Sequence, residues 1–452
     1  MELILENRAL IATLAGILAL LVLILRARMH AFAALLLVAI LSALAAGMAP
    51  KLAFDTVQKG MGGTLGFIAP VIGLGALFGA LLEASGAVQA LARKVSSLAS
   101  VGKQRWAMGG LGLVAATPVF FDVALIILMP FIAALSSRTG HAALVFGLPL
   151  CAGLAVGHAF VPPTPGPIAI AELIGADLGW VILFGGVTGH ISMAVAGPLF
   201  SLLLERSGRM PGKVEQVPVP VTDAQPTIPS RVSFGLATGL IVLPLVLILM
   251  GTLGALILQG GWIKDTVQVV GHPFSALLIA SGATLVLLAP KDETDKAKVR
   301  ETLTRAFEPT GIVILVTGAG GAFKQVLVDT GAGAQLAQSV LSVGFTPIIA
   351  GFILALLVRL AQGSATVAMI TAAGLAAPIV ASANLSAPEL GLVTIAIAAG
   401  ASGFSHVNDS GFWLVSRLFN LSEAETLRTW TVSTGLIAVT GLLSALLLSL
   451  LV

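Results

Sequence analysis

Twelve apolar segments run along the chain, at about 9–25, 30–49, 60–92, 106–136, 142–176, 179–203, 232–258, 272–289, 309–337, 345–381, 387–418 and 428–451. Most can cross a hydrocarbon core of ~30 Å at ~1.5 Å per residue, and inside lipid a helix satisfies every backbone polar group internally. The runs are continuous instead of alternating, which excludes a transmembrane β-barrel. Charged residues make up 10% of the chain, against ~25% in a soluble domain. These features predict an all-α polytopic membrane protein. The net charge of +3 is scattered over short loops and forms no stripe, so no nucleic-acid partner is expected. Arg26 and Arg28 follow segment 9–25 with no small-residue cleavage site between, so that segment is expected to be a retained span and not a signal peptide. Cys151, the single cysteine, allows no intrachain disulfide and is expected to be a small core residue.

A shift of 245 residues superposes one half of the chain on the other. It lays the stretch Gly75 to Val95 over Gly320 to Val340 with eight identities in 21 pairs, Thr117-Pro118 over Gln362-Gly363, and His158 to Pro167 over Gly403 to Phe412. A constant offset aligning three unusual features indicates duplication. Lys and Arg accumulate in cytoplasmic loops, and they set the orientation of each copy. Arg93, Lys94, Lys103 and Arg105 mark one loop as cytoplasmic, whereas residues 338 to 350, its counterpart, carry no charge. The copies are therefore expected to face opposite ways. Arg138 places both ends of segment 106–136 on the cytoplasmic side, so that segment is expected to dip in and return as a re-entrant hairpin, mirrored by 345–381 from outside.

The expected organisation is thus two inverted-topology repeats with about ten crossings, two re-entrant hairpins and two broken helices. The first repeat, 1–204, holds scaffold helices over 9–92, the hairpin 106–136, a broken helix over 142–176 and a last span at 179–203. A proline-bearing cytoplasmic linker, 205–230, leads to the second repeat, 231–452, with scaffold helices over 232–337, the hairpin 345–381, a broken helix over 387–418 and a last span at 428–451. The loop 291–305 is expected on the cytoplasmic side through Lys291, Lys296, Lys298, Arg300 and Arg305. Both termini are then periplasmic in an inner (plasma) membrane.

Four prolines in the run from Pro162 to Pro167 cannot continue a helix, so the span must break there and present a free helix N-terminus at mid-membrane, carrying ~+0.5 charge and suited to an anion. Its repeat mate, Ser402 to Gly411, is a polar island. An Asp at that depth costs ~2.5–3.5 kcal/mol on insertion scales, which makes Asp409 with His406 and Asn408 a functional cluster, a cap for the following helix, or both. The hairpin tips add Thr117, Pro118 and Asp122 on one side and Arg359, Gln362, Gly363, Ser364 and Thr366 on the other. Gly363 lets backbone approach a ligand closely. Arg359 is either a counter-charge for substrate or the partner of Asp122. Glu83 is expected to be scaffold or interfacial.

These residues resemble the gluconate:proton symporter family. The resemblance rests on Gly62-Gly-Thr-Leu-Gly66, Gly73-Leu-Gly-Ala, Leu82-Glu-Ala-Ser-Gly86, the Pro-Pro-Thr-Pro-Gly-Pro break, Gln362-Gly-Ser-Ala-Thr-Val-Ala and Ser405-His-Val-Asn-Asp-Ser-Gly-Phe-Trp413. It implies uptake of a sugar acid or related small hydroxy or amino acid with protons, and a dimeric scaffold carrying a mobile transport domain. Thr164 stands where the family pattern has His. The expected mechanism is alternating access, elevator-like, around a small carboxylate such as gluconate. That substrate is held by backbone N–H groups with Thr117, Pro118, Thr164, Gly166, Arg359, Gln362, Gly363, Ser364, Thr366, Asn408 and Ser410. Carrying one negative charge inward against an interior-negative potential costs ~2.3 kcal/mol per 100 mV, which one co-transported proton cancels. Asp409, His406, His158 and Asp122 are the candidate proton carriers, Asp409 first. Sodium-coupled carboxylate or D-serine transport is the alternative.

An enzyme is not expected. Gly400-Ala-Ser-Gly403 fits the G-x-S-G of an intramembrane serine protease, but no His follows on a later helix. The chain holds no phosphate-binding loop, no His-Glu-x-x-His and no calcium loop, so neither cofactor nor metal is expected.

Overall fold

The computed structural model describes residues 8–98, 100–117, 120–211, 232–288, 293–332, 335 and 345–452. The described residues contain helices and no strand. In the first half these are α1 (Arg8–Leu25), α2 (Ala31–Ala45), α3 (Pro50–Ala84), α4 (Ala87–Ser96), α5 (Val101–Ala115), α6 (Phe121–Thr139), α7 (Leu144–Phe160), α8 (Pro165–Ile174), α9 (Leu178–Ala194) and α10 (Phe200–Arg206). The second half has α11 (Phe234–Ile257), α12 (Trp262–Gly271), α13 (Pro273–Leu287), α14 (Glu293–Asp329), α15 (Pro347–Gln362), α16 (Ala365–Ser382), α17 (Ala387–Ser402), α18 (Ser410–Leu418), α19 (Glu423–Thr426) and α20 (Val432–Leu448). Wide π-turns at Val195–Leu199 and Leu427–Thr431 join α9 to α10 and α19 to α20.

Helix boundaries follow the sequence shift. Adding 245 to α3 gives 295–329, against Glu293–Asp329 for α14, and adding it to α8 gives 410–419, against Ser410–Leu418 for α18. The local chemistry repeats as well. His30 and His272 cap α2 and α13 through side chains that accept from the N–H two residues on, each at 3.3 Å, so two of the six histidines serve as helix starts. Prolines open α3, α13, α15 and α17, where a missing N–H costs nothing.

By length and composition, eight helices of the described residues can cross a membrane, or nine when the bent pair α12 and α13, which meet at 66°, counts as one span. Two readings need correction. Residues from Glu293 to Arg305 belong to the long helix α14 and not to a loop, and the apolar run 60–92 is two helices parted at Ser85-Gly86, where Gly86 takes φ 77°. The body of the expected linker, 212–231, lies outside the described residues, as does Lys291.

Two sets of helices pack around different centres. α3 and α14 cross at the centre of one set, with α2 and α13 beside them. The crossing is tight because both partners are small there: a methyl added at Gly60 would lie 2.5 Å from the Gly321 carbonyl oxygen. Thr56 Oγ1 donates to Asp329 Oδ2 at 3.1 Å across the same crossing. In the other set α5 lies on α7 and α15 lies on α17. A methyl at Gly153 would meet the Gly109 carbonyl oxygen at 2.1 Å, so α5 and α7 touch backbone to backbone. The two sets meet where α8 and α16 pack on α14.

Candidate functional site

The helical backbone is interrupted at 161–164, between α7 and α8, and at 403–409, between α17 and α18. The second break and the last turn of α7 border a cavity of about 420 Å³, within the range of small-molecule sites. Three helices begin on its wall. Phe120, Phe121 and Asp122 bring the start of α6, Ser364 to Val367 the start of α16, and Asp409 to Gly411 the start of α18. A helix N-terminus concentrates unpaired N–H groups and about half a positive charge, so three at one cavity favour an anion.

The second break is held by a buried network. Arg359, at the end of α15, donates from Nη2 to Asp409 Oδ2 and from Nη1 to the Gly363 carbonyl. Only 4% of Arg359 and 8% of Asp409 is exposed, so each charge depends on the other for its stability. Asp409 Oδ2 also accepts from Ser405 Oγ, and Oδ1 accepts from Gly411 N at 3.0 Å, which caps α18. Ser405 is fixed in turn by α20 and the turn before it: Trp430 Nε1 donates to Ser405 Oγ at 2.8 Å, and Ser405 N donates to Thr434 Oγ1 at 2.9 Å. Arg359 is therefore paired with Asp409 and not with Asp122. Asp122 lies on the cavity wall, exposed, and has no hydrogen-bond or ion-pair partner among the described residues.

The structure brings Asp122, His158, Arg359, Ser364, Thr366, Asp409 and Ser410 together on one cavity. His158 Nε2 lies 3.5 Å from Thr366 Oγ1, and its ring tilts against Phe120 at 5.7 Å. The other sequence candidates lie elsewhere. Thr117 and Thr164 line a smaller cavity behind His158, with their hydroxyls turned to the carbonyls of Leu113 and Val161. Gly166 faces Met369 of α16, whose sulfur would stand 2.5 Å from an added methyl. Gly363, at φ 83°, approaches Asn408 and not open space: a methyl there would lie 2.1 Å from the Asn408 carbonyl oxygen. Asn408 is exposed away from the cavity and donates to the Leu360 carbonyl at 2.9 Å, while His406 Nδ1 sits 3.0 Å from the Phe404 carbonyl oxygen. The Gln362 side chain is not on the cavity wall, and Pro118 lies outside the described residues.

The first break is poorer in donors than its position predicts. Pro165 and Pro167 occupy the first and third positions of α8, so within that turn only Gly166 keeps an N–H with no intrahelical acceptor. Sequence reasoning missed Phe121, Trp430 and Thr434, of which Phe121 and Trp430 stack at 5.6 Å on the cavity wall. The signal was available, because Trp430, Thr431 and Thr434 fall at i, i+1 and i+4 inside an apolar run, a polar stripe on one helical face.

Comparison with known proteins now gives the family. Residues 8–451 match the family described as GntP family permease. This chain belongs to that family. It is 39% identical over 427 residues to the low-affinity gluconate transporter of Escherichia coli K12, covering 94% of this chain and 95% of that one. The gluconate permease of Pseudomonas aeruginosa is 35% identical, covering 98% and 97%. The Gnt-II system L-idonate transporter of Escherichia coli K12 is 36% identical, covering 97% and 98%. Among solved structures, the Alcanivorax borkumensis YdaH transporter superposes with a TM-score of 0.59 over 88% of this chain and 89% of that chain at 12% identity, which establishes a shared fold. The chain is accordingly a multi-pass membrane permease and not an enzyme.

Proposed function

We propose that this permease imports gluconate or a closely related sugar acid together with protons. The carrying observation is the cavity itself: three helix starts, the hydroxyls of Ser364, Thr366 and Ser410, and one unpartnered carboxyl, Asp122, share a single wall. The helix starts receive the substrate carboxylate, and the hydroxyls suit a polyol. Arg359 serves the fold by holding Asp409, so the second break keeps its shape without drawing on the substrate for charge balance. An ionised Asp122 repels an anionic substrate at this range, whereas a protonated one does not, so substrate and proton enter together by linkage. Asp122 thereby takes precedence over Asp409 as the proton carrier, because Asp409 is already committed to three donors.

Alternating access between two inverted halves, with the helices around the two breaks moving against α3 and α14, agrees with the two different packing centres and with the loop charges. Re-entrant hairpins at α5–α6 and α15–α16 belong to the same reading. Uptake of labelled gluconate into proteoliposomes, driven in turn by a pH gradient and by a sodium gradient, is the test. A pH gradient alone should drive accumulation, and Asp122→Asn should abolish accumulation while counterflow continues. Accumulation driven by sodium alone, or full proton-driven accumulation in Asp122→Asn, overturns the proposal.

A further inference from the structure

Behind the main cavity lies a second, of about 20 Å³, and the two share Phe120 and His158 as their common wall. The small one is bounded by Gly75 and Ala76 of α3, Ala116 and Thr117 after α5, and Pro163 to Pro165 at the first break. Its volume suits a single water, since one needs roughly 10–15 Å³ of space for its centre and two to four polar partners. The partners are present and their roles are fixed. Thr117 Oγ1 donates to the Leu113 carbonyl at 3.1 Å and Thr164 Oγ1 donates to the Val161 carbonyl at 2.8 Å. Both hydroxyls have spent their protons and offer lone pairs. His158 Nδ1 is shut off from solvent and has no hydrogen-bond partner among the described residues, while Nε2 faces Thr366 Oγ1.

We propose that the small cavity binds one water molecule that accepts from His158 Nδ1–H and donates to Thr117 and Thr164. Three hydrogen bonds then satisfy the water, and they fix the imidazole tautomer: the proton sits on Nδ1, and the Nε2 lone pair is presented to Thr366 and to the main cavity. Thr117 and Thr164 become positioning residues that act through the water, and His158 becomes a proton acceptor oriented toward the site where Asp122 and the substrate meet. The charged groups that face it there are Asp122 from α6, Arg359 from α15 and Asp409 ahead of α18. The kinetic consequence rests on the proton-coupled reading above, but the tautomer does not.

The tautomer is read by solid-state ¹⁵N NMR of ¹⁵N-histidine-labelled protein in lipid, with the His158 signals assigned by their loss in His158→Gln. Wild type should show the Nδ1–H form. Gly75→Ala leaves the main cavity untouched and sets its methyl 3.2 Å from the Pro163 carbonyl oxygen, inside the small cavity, where it displaces the water. This variant, and separately Thr164→Val, should move His158 to the Nε2–H form or to a mixture. In Gly75→Ala, gluconate counterflow should remain within twofold of wild type while proton-driven uptake falls about tenfold. An Nε2–H tautomer in wild type, or an unchanged tautomer in both variants, overturns the proposal. Loss of a sodium requirement in Thr164→Val overturns it too, in favour of a bound cation. If neither gradient drives gluconate uptake, only the transport reading fails, and the tautomer result stands independently.

Discussion

The two helix breaks fall on one another when the chain is shifted by 245 residues, yet they are built by opposite means. The first, at 161–164, is made by deletion: prolines remove N–H groups, so little backbone needs a partner, and the surrounding span is the most buried of the eight long apolar spans among the described residues. The second, at 403–409, is made by provision. Its backbone donors remain: Thr434 and Asp409 accept from the N–H groups of Ser405 and Gly411, and Arg359, Ser405 and Trp430 hold Asp409 and Ser405 in place. Prolines need no neighbour to interrupt a helix, whereas the polar network exists only while α15, α18 and α20 stay in register. The break that lines the main cavity is the one whose shape depends on its surroundings, which is the property expected where a solute must be accommodated and released.

Substitutions can break this contrast. Arg359→Met should have the largest effect, since it leaves Asp409 buried without its counter-charge and frees the Gly363 carbonyl, costing about 3–5 kcal/mol. Equilibrium unfolding in mixed micelles measures it, and a second substitution, Asp409→Leu, should restore much of the loss. Wild-type stability in the single variant would show that the pair does not hold the second break. Gly166→Ala comes next, at about 1–3 kcal/mol, because the added methyl presses on Met369 and must be absorbed by a flexible thioether. Adding Met369→Ala should relieve it in the same assay, and failure of that rescue would mean α8 and α16 do not meet as described. Pro167→Ala should have the smallest effect, at most ~1 kcal/mol. The unfolded chain gains freedom, but the restored N–H at the third position of α8 can donate to Thr164 at the cap position. A loss comparable to that of Arg359→Met would erase the distinction between the two breaks.

The polar groups were legible in the sequence as a set, and their pairing was not. Asp409 stood out because an acid deep in an apolar run demands a reason, and the same logic singled out Arg359 and Asp122. Nothing in linear spacing says which acid the guanidinium meets, for Arg359 and Asp409 are fifty residues apart on different helices. Gly363 looked like a point of ligand approach because glycine permits closeness to anything; only the folded chain shows that the close neighbour is Asn408. Thr117 and Thr164 were grouped with the substrate ligands because hydroxyls at a break are suitable chemistry, and the fold puts the His158 ring between them and the main cavity.

Sequence alone determined the helical, membrane-spanning class, and it pointed to a duplication and to two breaks. These follow from hydropathy, from a constant offset and from the inability of proline to continue a helix, all local or periodic properties of the chain. Tertiary structure decided which ionisable groups neutralise each other and which is left facing the cavity. Those outcomes depend on distances of a few ångströms between helices remote in sequence, and burial makes such distances, more than residue type, set the energy of a charge.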